Sequence, residues 1–278
     1  MKKQLLVFML MIAIVPGSFS QSTEKIKGDR NVTIKQTFIE DFETLIVNGD
    51  FAIEVVYNSK PSVQIEVDDN LHDVIQISVK DGTLSFIQTR RIASKKKLSI
   101  TVNYGDALQN IEVKGNGEIR SLTSMELSDV TLKTSDNSRA YLNINSRSFD
   151  YKSYGKSKTR LNLTSDSTKV ELSDTSKLDA LIKSRIADFD LSQRSDAAIE
   201  GVSDTSIIRV DNFSNFTGIK FDVKNVEASL MDNSDITISV EENITIGASG
   251  NSEIYLYGNP AVTITKFEDT AKLQKKKR

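Results

Sequence analysis

The sequence predicts an all-β protein: a right-handed parallel β-helix, or solenoid, of about 19-residue coils behind an N-terminal antiparallel β cap. Three observations predict it. A phrase recurs, SDNSRAYLNI at 135–144 returning as SDTSKLDALI at 173, MDNSDITISV at 231 and SGNSEIYLYG at 249. Apolar residues alternate by two around each recurrence. Finally, hairpin signals cluster before the repeat and stop where it starts.

The last serine of SDNS serves as an anchor. Its equivalents are Ser138, Ser157, Ser176, Ser195, Ser214, Ser234 and Ser252, with Gly117 as forerunner, at steps of 18 to 21 residues. Two, four and six residues past an anchor lie Ala140, Leu142 and Ile144, or Leu178, Ala180 and Ile182. Six and four residues before one lie Val170 and Leu172, or Phe189 and Leu191. Alternation by two describes a strand with one buried face. Each unit therefore reads as strand, polar corner, strand, second corner. So small a unit cannot bury its own apolar face and must stack on its neighbours, equal offsets above one another. Ser, Asp, Asn and Gly suit the corners because they bond turn amides and tolerate unusual dihedrals. Right-handed winding follows from the preference of parallel crossovers. A succession of antiparallel hairpins in a sandwich would share the period, although Asn-Gly and Asp-Gly turns are absent after Gly117.

Ahead of the repeat, residues 31–112 read as the cap. FETLIVNGDFAIEVV places Asn48-Gly49 between alternating runs, and ISVKDGTLSFI does the same with Asp81-Gly82; both predict hairpins. Pro61 opens a strand, where its missing amide does little harm. Some cover is physically required, because a bare solenoid end exposes apolar columns and an unpaired edge.

The chain opens MKKQLLVFMLMIAIVPGSFSQ, two lysines followed by an apolar run over residues 5–15 and then small residues. This predicts a secretory signal peptide over 1–20 and export to the periplasm, outer surface or medium. The run is too short to cross a bilayer, and no later segment is apolar enough, so no membrane-spanning segment is expected after cleavage. A flexible leader over 21–30, the cap, the solenoid over 113–265 and a charged tail over 266–278 complete the expected plan. With no cysteine, stability must come from the core and the backbone ladder. A net charge of -2 supplies no basic excess for phosphates, which argues against nucleic acid.

The stretches FETLIVNGDFAIEVVYNSKPSVQIEVDDNL, VKDGTLSF, LSITVNYGDALQNIEVKGNGEI and SGNSEI carry a resemblance that spans nearly the whole mature chain. The sequence resembles the "putative auto-transporter adhesin, head GIN domain" family of secreted Bacteroidetes-type proteins. The resemblance implies a right-handed β-solenoid in an exported, non-catalytic protein, and it brings no catalytic or ligand residues to transfer.

A search for chemistry returns no catalytic, cofactor or metal site. His72 is the one histidine, set in a polar turn of the cap, and is expected at the surface. No Gly-x-Ser-x-Gly or His-Glu-x-x-His context accompanies it. Asp235 and Glu253 each follow an anchor serine and would lie one coil rise apart, close to a retaining glycosidase spacing, but stacking produces that distance by construction. Asp232, Asn233 and Asp235 could hold calcium, or simply satisfy corner amides. The column after each anchor, Arg139, Lys158, Lys177, Asp196, Asn215, Asp235 and Glu253, grades from basic to acidic. Tyr141, Tyr255 and Tyr257 are expected to point outward, and Phe213 in DNFSNFTGIKF replaces a polar corner residue; these four are the candidate partner contacts. The expected function is that of a non-enzymatic, adhesin-like envelope or surface protein binding a macromolecule along a solenoid face. A carbohydrate-active β-helix enzyme and a purely structural spacer are the alternatives.

Overall fold

Stacking of equal offsets is what the backbone shows. A computed structural model describes residues 24–277, so the predicted signal peptide lies outside the described residues. In chain order the strands are β1 (Lys25–Lys27), β2 (Val32–Phe38), β3 (Thr44–Val47), β4 (Ala52–Tyr57), β5 (Ser62–Asp68), β6 (Ile75–Lys80), β7 (Thr83–Gln88), β8 (Arg91–Ser94), β9 (Leu98–Tyr104), β10 (Asn110–Val113) and β11 (Glu118–Ser121). There follow β12 (Met125–Glu126), β13 (Asp129–Thr134), β14 (Arg139–Ser153), β15 (Lys158–Leu172), β16 (Lys177–Leu191), β17 (Asp196–Val210), β18 (Asn215–Leu230), β19 (Asp235–Ala248), β20 (Glu253–Gly258), β21 (Ala261–Phe267) and β22 (Lys272–Lys275). From β13 onward every pairing is parallel and joins residues one coil apart, giving a solenoid of about nine turns.

The anchor serines stand in one file and all are buried. Their chemistry explains their recurrence. Two residues before each anchor the backbone turns left-handed: Asp136, Gly155, Asp174, Gln193, Asn212, Asp232 and Gly250 have φ between 50° and 73°. The anchor then closes the turn. Ser176 Oγ donates to the Ser173 carbonyl at 2.7 Å, and Ser234 Oγ to the Met231 carbonyl at 2.8 Å. A hydroxyl is small enough to sit inside the corner and polar enough to satisfy a carbonyl that would otherwise be buried.

The second corner differs from expectation. It is a bend within one continuous strand: in β15 the buried alternation runs Thr159, Leu161, Leu163, Ser165, then slips one place at Asp166-Ser167 and resumes at Thr168, Val170, Leu172. One skipped residue turns the chain while its neighbours stay in the ladder. Inside, the file Tyr151, Val170, Phe189, Ile208, Ala228, Ile246 fills the core. Phe189 meets Phe216 edge-on with centroids 5.1 Å apart.

The cap is antiparallel where β2 pairs with β5, β5 with β9, and β6 with β7. Asp81-Gly82 is the two-residue hairpin expected, φ 50° and 69° between the Lys80–Thr83 pair. Asn48-Gly49 is a correction. β3 and β4 do not pair with each other; they run parallel to β10 and β11, with Lys114 N–H on the Val47 carbonyl and Glu118 N–H on the Phe51 carbonyl. A positive-φ glycine fits a hairpin and a solenoid corner equally well, and only the partners of the flanking strands distinguish them. Coil stacking therefore starts at Thr44, inside the region expected as pure cap, and β7 and β9 hand the cap onto β3 and β4 by parallel pairing.

Three further expectations are corrected. The expected charged tail is strand as far as Lys275, since β22 pairs in parallel with β20. The leader is tied down from Lys25 by pairing of β1 with β8, and Arg30 N–H donates to Asp68 Oδ2. His72 is buried, in a 3₁₀ turn over Asp69–Val74 whose Leu71 and Val74 plug the cap core. Local polarity of DDNLHDV suggested a surface turn, but the 3₁₀ geometry turns Leu71, His72 and Val74 inward together.

Candidate functional site

The grooved face lies on the first legs of β14, β15 and β16. Residues 122–124 leave the ladder between β11 and β12, so Asn143 N–H takes the Ser121 hydroxyl as acceptor. That departure opens a hollow of about 530 Å³ lined by Arg120, Tyr141, Asn143, Arg160, Asn162, Asp179, Leu181 and Glu200, among others. A smaller one of about 160 Å³ shares Asn143, Asn162 and Leu181 and extends along the strands past Asn145, Thr164 and Lys183.

Register assembles this surface. Arg120, Tyr141, Arg160 and Asp179 occupy one outward file, one per coil, and Asn143, Asn162 and Leu181 the next outward file. Tyr141 is half-buried, and the Arg120 guanidinium carbon lies 4.5 Å from its ring centroid, a cation–π contact. Leu181 is 43 % exposed, an apolar spot in a polar groove. The arrangement offers an aromatic face, amides and guanidinium groups together.

Of the four predicted contacts, the structure places only Tyr141 in this groove. Tyr255 shares its file but lies six coils away, roughly 29 Å at a strand spacing of about 4.8 Å. Its hydroxyl bonds Glu253, and Lys276 Nζ sits 4.9 Å from its ring centroid. Tyr257 is half-exposed two residues on. Phe213 stands 62 % exposed on the corner ridge at φ 68°. Sequence reasoning missed Arg120, Arg160, Asn143 and Asn162. The expected 19-residue files contained them, but nothing in the offsets showed that the ladder breaks beside them.

Asp235 and Glu253 face each other as anticipated, and their acidities part. Partial burial and the charge of Glu253 raise Asp235, while hydrogen bonds from Lys272 and Tyr255 lower Glu253. Neither lines the grooves described above. The graded column is real in register, but it continues into Glu118 at one end and Lys272 at the other, so it forms no simple dipole. At the corners, carboxylates bond amides: Asp136 accepts from Gly115 N–H at 2.8 Å. Among the described residues no group of three or more His, Cys, Asp or Glu side chains could hold a metal, and no helix is long and apolar enough to cross a membrane.

The family described as "putative auto-transporter adhesin, head GIN domain" matches residues 41–181 and 158–260. The chain belongs to this family. Among solved structures, a "putative adhesin" from Parabacteroides distasonis is 18 % identical with a TM-score of 0.67, covering 91 % of this chain and 100 % of its own. Another from Parabacteroides merdae is 17 % identical, TM-score 0.64, covering 91 % and 99 %. A "putative lipid binding protein" from Parabacteroides distasonis is 16 % identical, TM-score 0.54, covering 91 % and 99 %. At these identities the likeness is one of fold. Among curated proteins, none matches the sequence.

Proposed function

We propose that this head GIN domain protein is an exported, non-catalytic, adhesin-like component of the cell envelope or surface that holds a macromolecular partner along one solenoid face. The observation that carries the reading is the groove around Tyr141, where consecutive coils present an aromatic ring, amides and guanidinium groups side by side on rigid strands. Family membership supports it. Strands held on both sides give a surface whose side chains are fixed before a partner arrives, which lowers the ordering cost of binding. The acid pair Asp235–Glu253 supports hydrolysis poorly, because a substrate needs a concave site around the reacting groups and the grooves lie elsewhere.

The test is binding of the purified mature chain to whole cells and to a glycan array, beside the double substitution Tyr141→Ala and Asn162→Ala. Saturable binding that the double variant loses supports the proposal. Absence of saturable binding, or release of sugar products from a bound glycan, overturns it.

A further inference from the structure

We propose that the ligand of this groove is a linear acidic polysaccharide, its carboxylates taken by Arg120 and Arg160 on either side of Tyr141. The inference rests on the binding reading above and names the ligand class.

Charge comes first. Arg120, Arg139, Lys158 and Arg160 crowd three consecutive coils of one face. The carboxylates opposing them are Glu118, at 3.2 Å from Arg120 and 3.9 Å from Arg139, and Asp179, at 3.9 Å from Arg160. Lys158 has no ion-pair partner among the described residues, and the Arg160 side chain is 74 % exposed. A cationic block survives in a chain of net charge -2. Guanidinium forks match carboxylates in two parallel hydrogen bonds, which favours arginine at such a site.

Neutral groups then select a sugar over other anions. The side-chain amides of Asn143 and Asn162 make no hydrogen bond among the described residues, although each is held on a rigid strand and turned outward; they are free to meet ring hydroxyls. Tyr141 supplies a flat apolar face and Leu181 an exposed apolar spot, both suited to the C–H face of a pyranose. A peptide adding as a strand is disfavoured, because β14 and β15 are already paired along both edges and offer no free backbone.

Spacing sets the repeat. Arg120 and Arg160 are two coils apart, roughly 10 Å at the strand spacing. One sugar of a 1,4-linked chain is comparable in length to one coil rise, so alternate carboxylates of a polyuronate lying along the axis meet the two arginines, with Tyr141 under the intervening ring.

The experiment titrates the full mature chain with polygalacturonate, with neutral dextran and with single-stranded DNA, at low and high salt. Polygalacturonate should bind in a salt-sensitive manner and dextran should not. Combining Arg120→Gln with Arg160→Gln should weaken polygalacturonate binding about tenfold or more, through lost charge-assisted bonds. Both side chains are exposed, so the melting curve should not move, and the loss is then one of recognition. Equal binding of dextran, or an unchanged affinity in the double variant, overturns the inference while leaving the groove a neutral-glycan site. Equal capture of DNA overturns it in favour of unselective polyanion binding. No binding to any glycan or to cells defeats this inference and the parent proposal together.

Discussion

Asp174 Oδ2 accepts the amide hydrogen of Gly155 at 2.8 Å, one coil away. The two residues occupy the same left-handed corner position, φ 60° and 71°, and the motif recurs where Asp269 accepts from Gly250 at 2.9 Å. Aspartate tolerates this conformation and spends its carboxylate on the amide of the adjoining corner. Glycine is needed for a second reason: a Cβ on Gly155 would come within 2.9 Å of the Asp136 backbone nitrogen. Corners thus stack as closely as strands do.

Replacing Gly155 by alanine should therefore destabilise the solenoid by about 1–3 kcal/mol, from positive φ and the close contact together. Asp174→Ala should cost about 1 kcal/mol by stranding an amide. Urea denaturation followed by circular dichroism checks both; a Gly155→Ala midpoint equal to wild type would contradict the close corner.

Two serines of the same file should behave differently. Ser176 Oγ donates to Ser173, whereas Ser138 Oγ is buried with no partner. Ser176→Ala should cost about 1 kcal/mol and Ser138→Ala should be neutral or slightly stabilising. Paired thermal melts of the two variants decide it.

Phe213 holds φ 68°, a conformation costly for a bulky side chain, while its ring lies in solvent. Phe213→Gly should stabilise the chain by about 1 kcal/mol. A drop in melting temperature would instead show that the exposed ring packs usefully.

The cap should respond to acid in two windows. His72 Nε2 lies 2.9 Å from Thr33 Oγ1, whose own hydrogen goes to Asp69, so the imidazole donates there. Burial, then the charge of Lys35, lowers its pKa. The unfolded chain then binds a proton that the folded chain refuses, so stability is full above the ordinary 6.5 and falls as pH drops below it. Asp68 comes later. Its burial opposes charge, but the amides of Lys96, Lys97 and Arg30 outweigh that and lower its pKa. Its contribution is present above the ordinary 3.8 and is lost as pH falls through the depressed folded value. Denaturant midpoints at stepped pH should show the first decline removed by His72→Gln and the second flattened by Asp68→Asn.

What was readable in advance, and what was not, separates along one physical line. Local alternation decides which side chains face inward, and a unit too small to bury itself must stack, so the anchor file from Ser138 to Ser252, the core positions and the outward file from Arg139 to Glu253 follow from the amino-acid sequence by itself. Asn48-Gly49 could not be placed that way, because the turn has the same dihedral needs whether its strands pair with each other or with strands sixty residues on. Nor could the burial of His72, which depends on a 3₁₀ turn packing against β2. The groove was hidden for a related reason. Tyr141 was visible as an outward aromatic, but its partnership with Arg120, Arg160 and Asn162 arises where residues 122–124 quit the ladder beside it, and only the tertiary structure sets side by side groups that lie about one coil apart in the chain.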